Sequence, residues 1–362
     1  MTSGSPRSSG PDRVSVPLAL VRQVIVDVLL ACGAVPETAG PQAEQLVEGD
    51  LRGHPSHGLQ RLPMLVRRIG NGVIDPAALG RHEWRTPVLL AVDGQRGLGP
   101  AVAGRALDVV VERSMDQGVA VAAIADANHL GMLAPLVERA ARAGVVCIAT
   151  TTSEPLVHAW GGREAAVGTN PFSMAAPTDE EPVVIDMSTG EISRGKVIDH
   201  ANRGEPLPVG AVVDAEGNPT TDPERALAGS ISPFGGAKGY ALAVGMQMLV
   251  GALTASTLGR SIVGTLDADE PCNKGDVIIC LDPRVATGDD RAAALGDFVR
   301  EIREGTPVDP DRPILAPGDR SRQARAGRLA AGRIEVSTRV WGEVSQIAGD
   351  LGLAVSDTEV ES

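Results

Sequence analysis

Short apolar runs alternate with helical patterns through the middle of the chain, and this alternation restricts the fold more than any other feature of the sequence. Four segments hold a run with the length and composition of a buried strand; they are WRTPVLLAVDGQRGLG, VAVAAIADANHLG, VVCIATTTSEP and EPVVIDMSTG. Residues 101–117 and 132–142 carry a helical periodicity instead. Strands that alternate with helices in this way predict an α/β fold.

Both ends of the chain are predicted to be helical. An apolar stripe indicates a helix over residues 17–32, with Ser15 as its N-cap, and a second helix covers residues 37–51. Near the other end, residues 320–333 and 337–351 also have helical patterns. We expect these C-terminal helices to pack against the N-terminal ones.

Two segments are expected to lie outside any core. The first thirteen residues, MTSGSPRSSGPDR, have the composition of a disordered tail and lack the apolar stretch of a signal peptide. Residues 197–222 are rich in Gly, Pro and turn residues, which predicts an excursion over the surface. The longest weakly polar stretch, residues 241–253, is too short to span a bilayer.

Net charge and cysteine use restrict the partners and the compartment. With 33 basic and 46 acidic side chains the formal charge is -13, which repels nucleic acids and anionic membranes. We therefore expect neither nucleic acid nor membrane as a partner. The cysteines are scattered without CxxC spacing and are predicted to be reduced; they are Cys32, Cys147, Cys272 and Cys280. Together these features predict a cytoplasmic protein.

The segment SHGLQR places His57 and Arg61 four residues apart, on a helix that is predicted to begin here. That spacing puts both side chains on one helix face. A 2-oxo acid needs such a pair, because a guanidinium binds the carboxylate while a nearby acid protonates the oxygen that becomes an alkoxide. From spacing alone, an i,i+4 pair of this kind is more often a solvated helix face.

The segment ANHLG places His129 after a buried strand and directly before a predicted helix. In that position the helix dipole disfavours the imidazolium and favours proton exchange near neutral pH. Loops at strand ends also commonly carry active sites. The alternative is that Asn128 and His129 cap the following helix.

Two Gly-rich segments, GGREAAVGTNPF and PFGGAKGYALA, are candidates for close approach to a cofactor or substrate. Neither matches GxGxxG or the Walker A pattern, so neither indicates a standard nucleotide-binding fold. Lys238 at a helix start offers a cation beside backbone N–H groups, although a tight turn with a solvated lysine is the simpler interpretation. His54 and His57 lack the HExxH context and a second cluster, so no metal site is predicted.

Several motifs, taken together and in order, resemble the malate/L-lactate dehydrogenase family, also called type 2 or sulfolactate dehydrogenase-like. They are DLRGHPSHGLQRLP, ANHLG, WGGREAAVGTNPFSMAAP, VIDMSTGEISRGK, GEPLPVGAVVDAEGNPTTDP, GGAKGYALA and PGD. The resemblance covers residues 14–353, nearly the whole chain. Each motif is weak alone, but TNP, NPTTDP and KGY in combination are specific.

The resemblance implies a homodimer with a non-Rossmann nicotinamide-binding fold of the sulfolactate dehydrogenase-like type, which agrees with the missing GxGxxG. It also implies a helical domain formed by both termini. The corresponding division is a disordered tail at 1–13, a helical domain at 14–80 and 291–362, a nicotinamide-binding domain at 81–127 and 226–290, and a substrate- and cofactor-contacting domain at 128–225.

Site residues follow from the same resemblance. Proton transfer falls to His57 or His129, and the residues expected near the substrate carboxylate are Ser56, Arg61 and Thr169. The expected cofactor contacts are Ser153, Asp186, Met187, Ser188, Lys238, Gly318 and Asp319. Four of these residues are also the candidates that the sequence indicates without the resemblance, namely His57, His129, Arg61 and Lys238.

The leading hypothesis is hydride transfer between NAD or NADP and a small 2-oxo or 2-hydroxy acid of the malate or lactate type. The alternative is a cyclic imino acid reductase acting on piperideine- or pyrroline-2-carboxylate, but Lys196 replaces the acidic group that the resemblance implies for imine reducers. A catalytically silent nicotinamide-binding paralogue is a third hypothesis, and the presence of both histidines with Arg61 argues against it. Asp319 favours NAD by repelling a 2′-phosphate, although the choice of cofactor stays open.

Overall fold

The computed structural model describes residues 13–355 and 360–361. Its strands are β1 (Arg13–Pro17), β2 (Arg81–Trp84), β3 (Leu89–Asp93), β4 (Val119–Ala125), β5 (Val146–Thr151), β6 (Val157–His158), β7 (Ala165–Val167), β8 (Phe172–Ala176), β9 (Val183–Met187), β10 (Val212–Val213), β11 (Ser230–Ile231), β12 (Gly275–Leu281) and β13 (Arg333–Ser337). Of the predicted tail, all but Arg13 lies outside the described residues, and Arg13 begins β1.

The α-helices are α1 (Leu18–Ala31), α2 (Pro36–Leu51), α3 (Leu62–Gly70), α4 (Gly99–Gln117), α5 (Ala134–Arg142), α6 (Arg194–Arg203), α7 (Pro223–Leu227), α8 (Ala237–Thr254), α9 (Pro283–Thr287), α10 (Ala292–Arg303), α11 (Asp319–Ala331) and α12 (Thr338–Asp350). Short 3₁₀ turns cover Pro55–His57, Leu59–Arg61 and Gly259–Ser261.

A seven-stranded mixed sheet forms the centre of the molecule, in the order β2-β3-β4-β12-β5-β8-β9. Strands β3, β4, β5 and β9 come from the four apolar runs of the sequence, and burial of apolar side chains drives strand formation. β3 and β4 pair in parallel, whereas the other neighbouring strands are antiparallel. Helices α4 and α5 pack against this sheet. The α/β prediction is therefore confirmed.

β12 joins the two halves of this sheet. It pairs with β4 on one side and β5 on the other, so that Gly275 lies beside Ala125 and Asp276 beside Thr151. Because β12 is antiparallel to both neighbours, it begins at the edge where β4 and β5 end. The predicted division between residues 127 and 128 therefore falls between strands of one continuous sheet.

A smaller sheet, in the order β10-β11-β6-β7, has its own hydrophobic core. This core contains Val197, Leu207 and Val212. All three belong to residues 197–222, so the prediction that this segment crosses the surface outside the core is wrong. Gly204, Gly210 and Gly217 do form turns, and Ile198 and Val209 are exposed, but the core side chains named above are buried.

The two ends of the chain share one core. Buried side chains of α1, α2 and α3 pack with Ile334 of β13 and with Val340 and Trp341 of α12. α12 contacts α1 and α3, and α11 contacts α2. The prediction that the C-terminal helices pack against the N-terminal ones is confirmed.

Ser15 is not the N-cap of α1, contrary to the sequence prediction. It lies in β1, which pairs antiparallel with β13, and Arg333 donates its Nε–H to Ser15 Oγ at 3.0 Å. α1 begins at Leu18, after Pro17 and without a side-chain cap. The pairing of β1 with a strand near the other end of the chain overrides the local capping preference.

Candidate active site

The predicted catalytic side chains meet where the large sheet adjoins the helical region. β4 leads into the loop that carries His129, and β5 leads into the loop that carries Ser153. His57 and Arg61 come from the segment between α2 and α3. The centroids of the His57 and His129 rings are 5.5 Å apart, and the ring planes are tilted by 35°. The fold therefore brings the two candidate histidines into one site.

His57 and Arg61 do not lie on one continuous helix, contrary to the sequence prediction. They end two successive 3₁₀ turns that are separated by Gly58, whose backbone is extended. Oδ2 of Asp50 accepts the N–H of Leu59 at 2.7 Å and so satisfies a donor that a helix would otherwise pair. Both side chains are still half-buried.

His129 is not directly followed by a helix, since α5 begins at Ala134. The helix dipole therefore does not explain its chemistry, and that prediction is wrong. The capping alternative is wrong as well, because Nδ2 of Asn128 donates to the carbonyl oxygen of Arg96 at 2.7 Å. The N–H of Ala134 instead donates to Oδ2 of Asp186 at 3.0 Å.

The surroundings hold both imidazoles in the neutral form. Burial and then the nearby charge of Arg61 lower the pKa of His57 to about 4. Burial, Arg61 and His57 hold the pKa of His129 well below its usual range, with a further contribution from Lys274. At neutral pH the site therefore combines one guanidinium cation with two neutral imidazoles.

Hydrogen bonds at Nδ1 distinguish the two rings. The N–H of Gly131 donates to Nδ1 of His129 at 3.0 Å, so the neutral ring carries its proton on Nε2. Nδ1 of His57 lies 3.1 Å from Oγ of Ser56, and that hydroxyl is able to donate or accept. His129 is thus a fixed donor through Nε2, whereas His57 is able to adopt either tautomer.

Lys274 and Asp276 form a buried ion pair beside this site, and the sequence analysis missed both residues. Nζ of Lys274 donates to Oδ1 of Asp276, and the two residues are only 2% and 1% exposed. Burial raises the pKa of Asp276 and the charge of Lys274 opposes this rise. The available signal was the pair of charges in NKGD, directly before the apolar run VIIC.

Hydrogen bonds connect Thr169, the predicted substrate contact, to two predicted cofactor contacts. Its N–H donates to Oγ of Ser153 at 3.1 Å, and the two side-chain oxygens are 3.4 Å apart. Thr189, the residue after Ser188, donates its Oγ1–H to the carbonyl oxygen of Thr169 at 2.8 Å. The structure therefore brings Ser153, Thr169 and Ser188 into one group of loops.

The other two residues of this predicted cofactor segment end β9. Met187 pairs with Phe172 across β8 and β9. Desolvation by the surrounding protein raises the pKa of Asp186 to about 6, although the hydrogen bond from the N–H of Ala134 opposes the rise. Asp186 therefore serves at least as an anchor for the start of α5.

Lys238 lies in the first turn of α8 and is exposed, as the sequence predicts for a residue at a helix start. The N–H of Phe234, just before this helix, donates to the carbonyl oxygen of Thr189 at 3.1 Å. Gly235 and Gly236 have φ values of 57° and 66°, and no atom lies within 4 Å of the position that a side chain at Gly235 would take. The turn is open at Gly235, whereas a Cβ at Gly236 would lie 2.9 Å from the Trp160 ring, and the N–H groups at the start of a helix such as α8 favour anions.

Gly318 and Asp319 lie against β9. A Cβ at Gly318 would be 3.0 Å from the carbonyl oxygen of Val184. Asp319 is only 7% exposed, and its two oxygens accept hydrogen bonds from Arg303 at 2.8 and 2.9 Å. Arg322 donates to the same carboxylate at 3.2 Å. Because two arginines neutralise this charge, the interpretation that Asp319 repels a 2′-phosphate is wrong.

Within residues 13–355 and 360–361, no group of three or more His, Cys, Asp or Glu side chains is arranged to hold a metal ion. Over the same ranges, no helix has both the length and the apolar character needed to cross a membrane.

A model of the malate/L-lactate dehydrogenase family matches residues 16–345. The chain belongs to this family. The malate/(S)-sulfolactate dehydrogenase of Methanothermus fervidus is 34% identical over 336 residues, which are 92% of this chain and 97% of that relative. Delta(1)-pyrroline-2-carboxylate reductase 2 of Burkholderia multivorans is 36% identical over 290 residues, or 78% of this chain and 84% of that relative.

A dehydrogenase structure from Sinorhizobium meliloti matches with a TM-score of 0.89 at 42% identity, covering 93% of this chain and 98% of that one. The resemblance to the malate/L-lactate dehydrogenase family is therefore confirmed. The role of each individual residue within this family member remains a prediction.

Proposed function

We propose that this member of the malate/L-lactate dehydrogenase family transfers a hydride between a nicotinamide cofactor and a small 2-oxo or 2-hydroxy acid. The supporting observation is the pair of neutral imidazoles, with centroids 5.5 Å apart, beside the half-buried Arg61. A guanidinium suits the carboxylate of such an acid, and an imidazole suits the oxygen on the adjacent carbon.

NAD or NADP is the proposed cofactor, and the residues present fit a dinucleotide. The open turn at Gly235 and the start of α8, with Lys238, suit its phosphates. Ser153 and Ser188 adjoin Thr169, so we propose that they contact the cofactor close to the substrate. When bound, the cofactor supplies or accepts the hydride.

His57 is the proposed proton carrier. In the reduction, the oxygen of the substrate carbonyl becomes an alkoxide and takes a proton from protonated His57. In the oxidation, neutral His57 accepts the hydroxyl proton. His129 keeps its proton on Nε2, because Nδ1 is occupied by the N–H of Gly131, and it stabilises the developing charge on the same oxygen by a hydrogen bond.

Arg61 couples substrate binding to the protonation of His57. Its charge contributes to the low pKa of His57 in the free protein. A substrate carboxylate bound by Arg61 offsets that charge, so His57 takes up a proton more readily in the complex. The free protein is therefore already in the form that oxidation requires, and an anionic 2-oxo acid prepares it for reduction.

Cyclic imino acid reduction is the second candidate, because a pyrroline-2-carboxylate reductase is among the similar proteins. Arg61 would bind the carboxylate in the same way. Lys196 favours the 2-oxo acid, since an exposed lysine stands where the resemblance implies an acidic residue in imine reducers.

The assembly, domain division and location are also proposals. The resemblance implies a homodimer. We place the nicotinamide-binding part in residues 81–127 and 226–290, which include α8, the helix that Lys238 begins, and the substrate- and cofactor-contacting part in 128–225. The free thiols of all four cysteines support a reducing compartment, the cytoplasm.

Oxidation of NADH and of NADPH by the purified protein, with a panel of 2-oxo acids and cyclic imino acids, tests this proposal. We expect turnover of 2-oxo acids that His57→Gln lowers by roughly 10²- to 10⁴-fold. Turnover of cyclic imines alone would favour the second candidate. Tight NADH binding without any turnover would instead identify a catalytically silent paralogue.

A further inference from the structure

Glu154 follows Ser153 in the loop after β5 and has no role in the chemistry described so far. The residue is only 9% exposed. Its Oε1 accepts two backbone N–H groups, from Thr265 at 2.6 Å and from Leu266 at 3.0 Å. A buried carboxylate that accepts two amides fixes the backbone that carries them.

The same backbone holds Arg61. Nη2 of Arg61 donates to the carbonyl oxygen of Thr265 at 3.2 Å. A guanidinium has five N–H donors in a rigid plane. Fixing one edge of that plane therefore sets the direction of the N–H groups that remain for a substrate carboxylate.

Residues 264–271, which we name the bracing segment, are also tied to α3. Nη1 of Arg68 donates to the carbonyl oxygen of Asp267 at 2.5 Å, and Nδ2 of Asn71 donates to that of Ala268 at 3.1 Å. Nη2 of Arg68 also donates to Oδ1 of Asn128 at 3.0 Å, beside His129. The bracing segment thus adjoins the two parts of the chain that carry Arg61 and His129.

We propose that Glu154 is a positioning residue: it holds the bracing segment so that Thr265 fixes one edge of Arg61 and the rest of the guanidinium is aimed at the substrate carboxylate. The proposal rests on the function proposed above. Glu154 itself need not touch the substrate.

The alternative role for Glu154 is purely electrostatic. Its second oxygen, Oε2, is buried without a hydrogen-bond partner among the described residues, and its charge opposes the depression of the pKa of Arg61. Two conservative substitutions separate the effect of the length of the Glu154 side chain from the effect of its charge. Glu154→Gln keeps an oxygen in place and removes the charge, whereas Glu154→Asp keeps the charge and shortens the side chain by one methylene.

Steady-state kinetics on the full-length protein separate the two roles. We expect Glu154→Asp to raise KM for the 2-oxo acid about tenfold. Arg61 is then no longer aimed at the substrate, and one charge-assisted hydrogen bond between its guanidinium and the substrate carboxylate is lost. The value of kcat and the KM for the cofactor should stay within about threefold, as expected when ground-state binding alone is weakened. Glu154→Gln should remain close to the wild type. Glu164→Asp is the matched control, because Glu164 is exposed and pairs with Arg260.

Amide hydrogen exchange in the bracing segment provides a measurement that does not depend on turnover. We expect the amides of Thr265 and Leu266 to exchange faster in Glu154→Asp and to stay protected in Glu154→Gln. Unchanged exchange in both variants would overturn the proposal. A KM that rises in Glu154→Gln and not in Glu154→Asp would overturn it in favour of the electrostatic role.

Failure of the proposed function is distinguishable from failure of this inference. If the wild-type protein turns over no 2-oxo acid, the function is wrong, while amide exchange still decides whether Glu154 holds the bracing segment. Direct binding of oxamate, an unreactive 2-oxo acid analogue, then reports whether Arg61 is aimed at a carboxylate. Equal oxamate affinity in wild type and Glu154→Asp would overturn the inference.

Discussion

The two sides of the candidate site are built in different ways. One side, the helical wall, carries Ser56, His57 and Arg61 on 3₁₀ turns that are half-buried. The other, the sheet wall, carries His129 in the loop after β4, beside the buried pair of Lys274 and Asp276. Short turns have few fixed contacts, whereas a central sheet is close-packed. We therefore expect the 3₁₀ turn of His57 to adjust to the substrate more readily than the loop of His129, whereas Arg61 is held at Thr265.

The segments that carry His57 and His129 nevertheless each pack closely against a glycine in a helix. A Cβ at Gly49 of α2 would lie 2.5 Å from the carbonyl oxygen of His57. A Cβ at Gly99 of α4 would lie 2.4 Å from the carbonyl oxygens of Asn128 and His129. The two walls are therefore set by close backbone approach to a helix, which only glycine permits at these distances.

The largest effect is expected for His57→Gln, on the helical wall. Loss of a general acid-base group lowers kcat by roughly 10²- to 10⁴-fold. In the wild type, kcat/KM for hydroxy-acid oxidation should fall as the pH drops through about 4, the pKa of His57, because protonation removes the base. This acid limb should disappear in the variant. If His129→Gln abolishes the limb and His57→Gln does not, the two assignments are reversed.

His129→Gln tests the sheet wall, and the expected loss in kcat is about 10²- to 10³-fold, as for removal of one donor to a developing oxyanion. The acid limb from His57 should persist. Folding stability provides a second measurement. The folded state holds the pKa of His129 well below 6.5, so the unfolded chain binds the proton first and the wild type loses stability as pH falls below about 6.5. That loss should be smaller in His129→Gln.

The buried pair behind His129 is expected to affect stability more than chemistry. Lys274→Met leaves the carboxylate of Asp276 buried and uncompensated, which costs about 3–5 kcal/mol of unfolding free energy. Lys274→Met combined with Asp276→Asn should recover most of that loss. Urea denaturation of both variants checks this. A double variant that is no more stable than Lys274→Met would show that the two charges do not compensate each other.

The sequence indicated the candidate side chains on both walls but not the buried pair behind His129. His57, Arg61 and His129 stand in recognisable motifs, and the roles proposed for them rest on their residue types. Lys274 and Asp276 were missed, because the charges in NKGD do not reveal that β12 inserts between β4 and β5 from a distant part of the chain. Strand pairing between distant parts of the chain cannot be inferred from local sequence patterns.

Other errors have the same origin. The sequence predicted that Asp319 repels a phosphate, but Arg303 of α10 donates hydrogen bonds to both oxygens of its carboxylate and neutralises its charge. Ser15 is a residue type that commonly caps helices, but it lies in β1, which pairs with β13. Residues 197–222 had turn composition, yet four of their apolar side chains complete a core. In each case the local sequence is compatible with more than one structure, and a contact with a distant part of the chain determines which one forms.

The smallest effects, from Gly49→Ala and Gly99→Ala, compare the two walls directly. Each added methyl group pushes against backbone, which costs about 1–3 kcal/mol. Gly99→Ala should cost more unfolding free energy than Gly49→Ala, because Asn128 is held by Arg68 and Arg96 and so cannot move away. The 3₁₀ turn of His57 should shift instead, so that Gly49→Ala keeps more stability and loses activity.

Two other glycines supply matched controls for this comparison. Gly40 of α2 has no atom within 4 Å of its Cβ position, and Gly104 of α4 meets only the flexible end of Arg139 at 3.7 Å. Alanine at either position should leave activity unchanged and stabilise the helix by about 0.5–1 kcal/mol. Unfolding free energies and kcat/KM of all four variants check the prediction. Equal losses in Gly49→Ala and Gly99→Ala would mean that both walls are equally rigid, and adjustment to the substrate would then have to come from elsewhere in the site.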